Sequence, residues 1–169
     1  LMRRPEYRTA DPLPSPVELV VFDFDGVMTA NDVWVNQDGT ESVRCDRGDG
    51  MGIAMLRKAG VEALILSTEV NPVVSARAAK LKLEVHQGIG RKGEALAALM
   101  DERGIDPAHV VYLGNDVNDL PCLEIVGCPV AVADAHRDVL AVATLVLQRR
   151  GGYGAVRELC ERILEGLDG

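Results

Sequence analysis

Short apolar runs alternate with segments of helical pattern along most of this chain, and that alternation constrains the fold more than any other feature. The helical segments are residues 52–59, 71–81, 92–103 and 155–167, and the apolar runs are residues 18–24 (ELVVFDF), 61–66 (VEALIL), 84–86, 109–113, 129–133 and 145–147. Strands separated by helices pair in parallel, because each crossover returns the chain to the same edge of the sheet. The pattern therefore predicts an α/β fold, a Rossmann-like parallel sheet covered by helices on both faces in three layers.

Two regions depart from this alternation. Residues 33–35 and 41–45 alternate apolar and polar side chains around Asn36-Gln37-Asp38-Gly39, which is typical of a small β-hairpin. Residues 1–16 contain four prolines and no periodicity, so we expect an arm or a linker there. Because the sequence does not begin with Met, a linker from an upstream domain is one of the interpretations of this segment. The remaining residues, 17–169, are long enough for one domain around a single core.

Charge and cysteine content argue against several classes of partner. With 18 Lys and Arg against 26 Asp and Glu, the net charge is −8, which disfavours nucleic acid or an anionic membrane. No apolar stretch reaches the roughly 18 residues of a membrane span, and no signal peptide is recognisable. The four cysteines form no CxxC pair, which favours a reducing cytoplasm over a disulfide framework or a zinc site.

The first apolar run ends in Asp23-Phe24-Asp25-Gly26. Alternation along a strand would place Asp23 and Asp25 on the same side, and adjacent carboxylates repel each other unless a cation or a shared proton compensates them. This pair therefore indicates either a Mg²⁺ site or an acid/base pair. Gly26 would let the chain turn so that its N–H groups are directed at an anion.

Further polar residues follow later strands or open a helix. Ser67 and Thr68 follow the run at residues 61–66, and Lys92 opens a helix, where a cation and helix N–H groups together suit a phosphate. The run at 109–113 leads into residues 114–119 (GNDVND), which offer the oxygen ligands that hard cations prefer. Each signal is weak alone, since acid pairs and Asx-turns are common in loops. Their order at strand ends, where ligands bind in parallel sheets, predicts a phosphate and cation site.

These segments, in this order, resemble the four motifs of the haloacid dehalogenase superfamily. Segments 49–53 (DGMGI), 132–136 (VADAH) and 151–158 (GGYGAVRE) are similar to those of one branch. That branch contains the 3-deoxy-octulosonate 8-phosphate phosphatases, the nonulosonate 9-phosphate phosphatases and the phosphatase-like C-terminal domain of acylneuraminate cytidylyltransferases. The resemblance runs from about Glu18 to the C-terminus and implies the haloacid dehalogenase fold.

The resemblance implies a Mg²⁺-dependent phosphatase with a covalent intermediate. Asp23 would attack phosphorus to form an aspartyl phosphate, and Asp25 would protonate the leaving oxygen and later activate water. Ser67 and Lys92 would hold the phosphoryl oxygens. Mg²⁺ would be held by Asp23, the backbone carbonyl of Asp25 and the loop after Leu113, whose candidate ligands are Asn115, Asp116 and Asp119.

The sequence departs from the family pattern at two positions. Asn115 stands where the fourth motif usually has Asp, so this ligand brings no charge to a metal. Tyr153 stands where octulosonate phosphatases usually have Arg, which puts a substrate contact by that side chain in question.

Resemblance also suggests the substrate. Glu69 and Lys80 match a Glu and a Lys of the nonulosonate branch, whereas octulosonate phosphatases tend to have Arg after the second motif. This favours the 9-phosphate of a nine-carbon 2-keto-3-deoxy sugar acid, with Lys80 facing Glu69 or the sugar carboxylate. The predicted substrate-binding residues are Gly26, Asp49, Thr68, Glu69 and Lys80.

The intervals between the motifs predict how the site is closed. Residues 27–66 and 68–91 leave no room for a cap domain, and in the similar phosphatases neighbouring subunits exclude water instead. We therefore expect a homotetramer. A catalytically silent domain that serves oligomerisation of a CMP-sugar-acid synthetase is the alternative, favoured by Asn115 and opposed by the intact Asp23, Asp25, Ser67 and Lys92.

Overall fold

The computed structural model describes residues 12–167. Its strands are β1 (Leu19–Phe22), β2 (Thr29–Val35), β3 (Glu41–Cys45), β4 (Glu62–Leu66), β5 (Glu84–His86), β6 (Val110–Gly114), β7 (Cys128–Ala131) and β8 (Leu145–Val146). Its α-helices are α1 (Arg47–Lys58), α2 (Val73–Leu81), α3 (Lys92–Arg103), α4 (Leu120–Leu123), α5 (Arg137–Val142) and α6 (Ala155–Leu167). Two 3-10 turns lie at Pro107–His109 and Val117–Asp119.

Six strands form one parallel sheet in the order β5-β4-β1-β6-β7-β8. The chain first runs from β1 outward to β5 and then returns to β6 on the other side of β1. This reversal makes the gap between β1 and β6 the switch point of the sheet, where an open α/β sheet has its ligand crevice. Phe22 pairs in register with Ile65 of β4 and Leu113 of β6, so the residues after these three strands meet at one edge.

The core lies around the central strands. Every residue of β1 is fully buried, as expected for a strand covered on both faces by helices. Helix α6 packs against α1, and α4 against α3. The predicted α/β fold with a parallel sheet is therefore confirmed.

The hairpin prediction is also confirmed. Strands β2 and β3 pair antiparallel in a sheet of their own, and the Asn36 and Gly39 N–H groups close the turn between them. Outside the hairpin, residues 27–66 form only α1 and β4, and residues 68–91 form only α2 and β5. The described part of the chain accordingly contains no cap domain between these motifs. Strand β2 leaves Val33, Trp34 and Val35 exposed.

Helix α1 begins at Arg47, five residues before the predicted start at Gly52. The Asp46 side chain caps it by accepting a 2.7 Å hydrogen bond from the Gly48 N–H. Gly48 and Gly50 lie in the missed part and Gly52 follows it, and these glycines weaken the helical signal because glycine disfavours helix interiors. Tertiary packing overrides that preference: a Cβ at Gly52 would lie 3.1 Å from the Cβ of Cys160 on α6, so the glycine permits close approach of the two helices.

Residues 1–11 of the predicted arm lie outside the described residues. Within the described remainder, Leu13 packs against the core. No helix among residues 12–167 has the length and hydropathy needed to cross a membrane.

Candidate active site

Three polar residues from different motifs meet at the carboxyl edge of the sheet. Asp23 follows β1, Ser67 follows β4 and Asn115 follows β6, and these three strands are neighbours. Their exposed fractions are 4%, 1% and 8%, respectively. Burial of three polar groups at one point is costly unless partners satisfy them, so the surrounding contacts define what the site can do.

Residues 23–29 form a tight turn, which is called the nucleophile loop after the role predicted for Asp23. Strand β1 ends at Phe22, so Asp23 and Asp25 lie in this turn, and the strand alternation expected for them does not apply. The carbonyl oxygen of Phe24 accepts hydrogen bonds from the N–H groups of residues 27, 28 and 29. Gly26 has a φ of 76°, and its N–H donates to Thr29 Oγ1 over 3.0 Å. Within the described residues, the N–H and carbonyl oxygen of Asp25 make no hydrogen bond and are available to a ligand.

Lys92 connects the nucleophile loop to the fourth motif. Its Nζ donates to Asp23 Oδ1 over 3.0 Å and to Asp119 Oδ1 over 2.7 Å, and its side chain is 1% exposed. A lysine ammonium has three N–H donors, so one remains for a phosphoryl oxygen. The position of Lys92 as the first residue of α3 adds the N-terminal end of a helix to this cationic site.

Asp119 does not fit the predicted role of metal ligand. Oδ1 accepts hydrogen bonds from Tyr112 Oη over 2.5 Å and from Lys92, and Oδ2 accepts from the N–H groups of Asn115 over 2.9 Å and Asp116 over 3.3 Å. A carboxylate has about four acceptor positions, and donors occupy all of them here. We therefore correct that assignment: Asp119 organises the loop and holds Lys92.

Asn115 is placed as a cation ligand would be. Its side chain packs over Gly26, where a Cβ would overlap the Asn115 amide. Its Oδ1 is buried and has no hydrogen-bond partner among residues 12–167, which is unfavourable unless a cation or water occupies the space beside it. Asp116 is exposed, and its Oδ1 accepts from the Val117 N–H over 2.7 Å.

The donor set fits Mg²⁺, which prefers oxygen ligands. It consists of the Asp23 carboxylate, the Asp25 carbonyl oxygen and the Asn115 amide oxygen. Among residues 12–167 no three His, Cys, Asp or Glu side chains form a group able to hold a metal, and this set includes only one such side chain. A cation here would satisfy the unpaired Oδ1 of Asn115.

Both acids of the nucleophile loop have raised pKa values. Burial, followed by the charge of Asp119, raises the pKa of Asp23, while Lys92 opposes the shift. Burial raises the pKa of Asp25, with the charges of Glu69 and Glu41 adding to it and Lys92 again opposing. A raised pKa keeps Asp25 protonated at higher pH than a free Asp, which suits a general acid.

The second motif lies across the crevice from the fourth. Ser67 Oγ accepts a 3.1 Å hydrogen bond from the Glu69 N–H, which leaves its hydroxyl hydrogen for a ligand. Thr68 is exposed, and its Oγ1 accepts from Asn118 Nδ2 over 3.4 Å.

Of the two alternatives predicted for Lys80, the pairing with Glu69 is not formed, and a contact with the sugar carboxylate stays a prediction. Glu69 Oε1 instead accepts hydrogen bonds from the N–H groups of Val70 and Asn71, over 2.9 and 3.0 Å, because those donors are local. Lys80 lies exposed on α2.

Asp49 was predicted to bind substrate, and its position corrects that prediction. The side chain is 2% exposed, and its Oδ1 accepts a 3.0 Å hydrogen bond from the backbone N–H of Arg157 in the first turn of α6. Burial raises the pKa of Asp49 to about 7, although the Arg157 hydrogen bond opposes the shift. Asp49 thus joins α1 to α6 and is not accessible to a substrate.

A cationic cleft lies beside the nucleophile loop. It has a volume of about 520 Å³ and is lined by Cys45, Arg47, Arg77 and Lys80. Lys80 was predicted from the sequence as a substrate-binding residue, whereas the other two cationic residues of the cleft, Arg47 and Arg77, were missed. Cys45 pairs with Thr29, whose hydroxyl oxygen accepts from Gly26, so the cleft adjoins the loop that carries Asp23. The spacing of Arg77 and Lys80, three residues apart on α2, could have indicated a shared helix face.

Tyr153 also has a role that its sequence context did not indicate. Its ring lies between two guanidinium groups, with Cζ of Arg44 4.1 Å and Cζ of Arg150 4.4 Å from the ring centroid. Arg44 Nη1 also donates to the Gly152 carbonyl oxygen over 2.5 Å. These contacts join the hairpin to the loop before α6.

Comparison with known proteins identifies relatives along almost the whole chain. The family model of the haloacid dehalogenase-like hydrolases matches residues 65–157. The 3-deoxy-D-manno-octulosonate 8-phosphate phosphatase KdsC of Escherichia coli K12 is 34% identical over 149 residues, which are 88% of this chain and 79% of that protein. The N-acylneuraminate cytidylyltransferase of Oncorhynchus mykiss is 34% identical over 156 residues, 89% of this chain but 36% of that protein.

Solved structures give the same result. A HAD family hydrolase from Streptomyces avermitilis has 54% sequence identity and a TM-score of 0.87, covering 90% of this chain and 88% of that one. The 3-deoxy-D-manno-octulosonate 8-phosphate phosphatase from Moraxella catarrhalis, solved with magnesium, phosphate and KDO, has 31% identity and a TM-score of 0.84, covering 88% and 86%.

Proposed function

This chain belongs to the haloacid dehalogenase-like hydrolases and is a phosphatase, and on that basis we propose that it hydrolyses a phosphorylated 2-keto-3-deoxy sugar acid with Mg²⁺, through an aspartyl phosphate on Asp23. The observation that carries this proposal is the buried contact between Lys92 and Asp23, with Nζ 3.0 Å from Oδ1. It places a cation beside a carboxylate at the switch point of the sheet, where a phosphoryl group can meet both.

In the first step the Asp23 carboxylate attacks phosphorus. A bond forms between phosphorus and the Asp23 oxygen, the bond from phosphorus to the sugar oxygen breaks, and Asp25 gives its proton to that leaving oxygen. Oδ1 of Asp23 is held by Lys92 and the Phe24 N–H, whereas Oδ2 makes no hydrogen bond within the described residues. The nucleophile is therefore oriented by one oxygen while the other remains open.

In the second step water attacks the aspartyl phosphate. Asp25, now ionised, takes a proton from the water, the phosphorus–Asp23 bond breaks, and inorganic phosphate leaves with Asp23 restored as a carboxylate and Asp25 as the protonated acid. Ser67 and Lys92 hold the phosphoryl oxygens through both steps, and the free N–H of Asp25 provides a further donor.

Asp23, the Asp25 carbonyl oxygen and Asn115 Oδ1 would hold the Mg²⁺ ion, and the unpaired Asn115 oxygen supports this. When bound, Mg²⁺ neutralises charge on the phosphoryl group and the attacking carboxylate. The similarity of this chain to a phosphatase solved with magnesium also supports a Mg²⁺ ion at this position.

The cationic cleft supports a substrate that carries a second anionic group. Arg47, Arg77 and Lys80 line it without an acidic side chain, in a chain whose net charge is −8. A sugar acid has a carboxylate at the end opposite to its phosphate, which suits such a cleft. Glu69 has an oxygen, Oε2, without a hydrogen bond among the described residues, and Lys80 has no ion pair there. Both are available to a nonulosonate, which we favour over an octulosonate.

We propose a homotetramer as the active unit. The exposed Val33, Trp34 and Val35 of the hairpin offer an apolar surface, and without a cap domain in the described chain a neighbouring subunit would have to exclude water from the site. We place the protein in the cytoplasm, because Cys45, Cys122 and Cys160 are free thiols.

Turnover measurements test the proposal. Purified protein with Mg²⁺ is given a nonulosonate 9-phosphate, an octulosonate 8-phosphate and a neutral sugar phosphate, and phosphate release is measured. We expect the highest kcat/KM for the nine-carbon acid and the lowest for the neutral sugar. Equal kcat/KM for all three would contradict the role of the cleft, and no release from any of them would overturn the proposed function.

A further inference from the structure

Tyr112 is a buried polar residue that the mechanism above does not use. It lies in β6 between Val111 and Leu113, and its ring is fully buried. A phenylalanine would fill the same space without a polar atom to satisfy. A buried hydroxyl is costly unless it is hydrogen-bonded, so the hydrogen-bond partner of the Tyr112 hydroxyl indicates what this group does.

That partner is the acid that holds Lys92. Tyr112 Oη donates a 2.5 Å hydrogen bond to Asp119 Oδ1, the same oxygen that accepts from Lys92 over 2.7 Å. Lys92 in turn contacts Asp23 Oδ1 over 3.0 Å. Tyr112, Asp119, Lys92 and Asp23 therefore form one buried chain of contacts that ends at the nucleophile.

Two donors share one carboxylate oxygen in this chain. Each donor reduces the negative charge that the other meets at Asp119 Oδ1, so the Tyr112 hydroxyl weakens the hold of Asp119 on Lys92. Lys92 is already closer to Asp119 than to Asp23. Without the hydroxyl, Lys92 would move further towards Asp119 and away from the site of phosphoryl transfer.

The ring of Tyr112 also contacts Lys92. Nζ lies 5.6 Å from the ring centroid, within the range of a cation–π interaction. This second contact involves the ring and not the hydroxyl, so it would survive replacement by phenylalanine. The two contributions of Tyr112 can therefore be separated by one substitution.

We propose that Tyr112 is a positioning residue for phosphoryl transfer, which sets the place of the Lys92 ammonium between Asp119 and Asp23. The proposal rests on the proposed function, in which Lys92 holds a phosphoryl oxygen. Charge on that oxygen is best stabilised in the transition state by a donor already in place, so the position of Lys92 affects kcat more than substrate binding.

The test compares Tyr112→Phe with Tyr153→Phe, which removes the same hydroxyl from an exposed ring. For each variant kcat and KM are measured, and vanadate and inorganic phosphate binding are titrated calorimetrically. Vanadate adopts the five-coordinate geometry of the transition state, whereas phosphate resembles the bound product. The midpoint of thermal unfolding and the number of vanadate sites per chain report whether the fold is intact.

We expect Tyr112→Phe to lower kcat about tenfold or more, in line with the loss of one hydrogen bond to a charged group, and to change KM less than about twofold. Vanadate affinity should fall with kcat, while phosphate affinity and the number of sites stay the same. Tyr153→Phe should match the wild type in all of these.

Four results would overturn the proposal. If Tyr112→Phe lowers only the unfolding midpoint or the number of sites, with normal kcat per site, Tyr112 is merely structural. Equal losses of vanadate and phosphate affinity would mean that Tyr112 supports binding in general. An inactive wild-type chain would overturn the proposed function as well, whereas an active wild type with unchanged kcat in Tyr112→Phe overturns the positioning role alone.

Discussion

The backbone N–H of Gly152 donates a 3.1 Å hydrogen bond to the carbonyl oxygen of Val27, so the loop before α6 closes onto the nucleophile loop. Gly151 lies against Gly26 so closely that a Cβ would overlap the Gly26 carbonyl oxygen. The Gly151 N–H is held in turn by Asp134 Oδ1 over 3.1 Å. A segment far along the chain therefore supports the turn that carries Asp23 and Asp25.

Substitution of Gly152 should show how strongly this support matters. Gly152 has a φ of 75°, and a Cβ there would overlap the backbone of Ala30. Gly39 is the matched control, because its φ is 85° but no atom lies within 4 Å of its Cβ position. Gly39→Ala should lower the free energy of unfolding by about 1–2 kcal/mol through backbone strain alone. Gly152→Ala should cost at least about 1 kcal/mol more in urea unfolding and also lower kcat; equal effects would contradict the packing argument.

Asp23→Asn should abolish turnover while the fold survives. An amide is not a nucleophile for phosphorus, but Lys92 keeps its 2.7 Å contact with Asp119, so the buried cation does not lose every partner. Asp25→Asn should leave slow activity, because general acid–base help contributes about 10²–10⁴ in rate. Phosphate release and the thermal unfolding midpoint are measured for both, with Asp138→Asn as an exposed control. Normal turnover by Asp23→Asn would contradict the covalent mechanism.

Asn115→Asp should tighten Mg²⁺ binding by at least about tenfold, or 1.4 kcal/mol. The unpaired Oδ1 of Asn115 would become one oxygen of a carboxylate, and a further unit charge about 4 Å from a cation is worth on the order of 4 kcal/mol before desolvation. Calorimetric titration of Mg²⁺ measures the change without relying on activity. Unchanged affinity, together with loss of binding in Asp116→Asn, would identify Asp116 as the ligand instead.

Asp49→Asn should flatten the pH dependence of stability. The pKa of Asp49 rises from 3.8 to about 7 on folding, so between these values the unfolded chain releases a proton that the folded chain retains. Stability from the protonated carboxyl is complete below about pH 4 and is lost as pH rises to about 7, by about 4 kcal/mol at most. Urea unfolding at several pH values should show wild type losing stability relative to Asp49→Asn across this window. The exposed Asp101→Asn should follow the wild type, and parallel curves for Asp49→Asn would contradict the shift.

Lys80→Met should separate carboxylate recognition from phosphoryl transfer. If Lys80 binds the sugar carboxylate in the cationic cleft, its loss should raise KM for sugar-acid phosphates about tenfold, as expected for one hydrogen bond between charged groups. Hydrolysis of a neutral sugar phosphate should be unaffected. Lys58→Met, at an exposed position of α1, serves as the control. An equal rise in KM for acidic and neutral substrates would place Lys80 outside the carboxylate site.

The local sequence pattern was sufficient to predict the helices and strands and the polar residues at the carboxyl edge of the sheet. Alternation of apolar runs and helical segments predicted a parallel α/β fold, because a strand buried on both faces must be apolar throughout. Asp23, Ser67 and Asn115 were identified because they follow such strands, and parallel strands end together. The five-residue error at the start of α1 arose where glycines made helix packing, and not helix propensity, the deciding term.

Only the tertiary structure decided what each polar side chain does, because hydrogen-bonding capacity is filled by residues distant in sequence. Lys92 meets Asp23 across 69 positions, and Asp49 meets the Arg157 N–H across 108. Four donors occupy Asp119 and exclude it as a metal ligand, whereas the Asn115 oxygen is left open for one. The sequence by itself determined which acids and amides reach the crevice; the packing of strands and loops around them determined which still have a free oxygen.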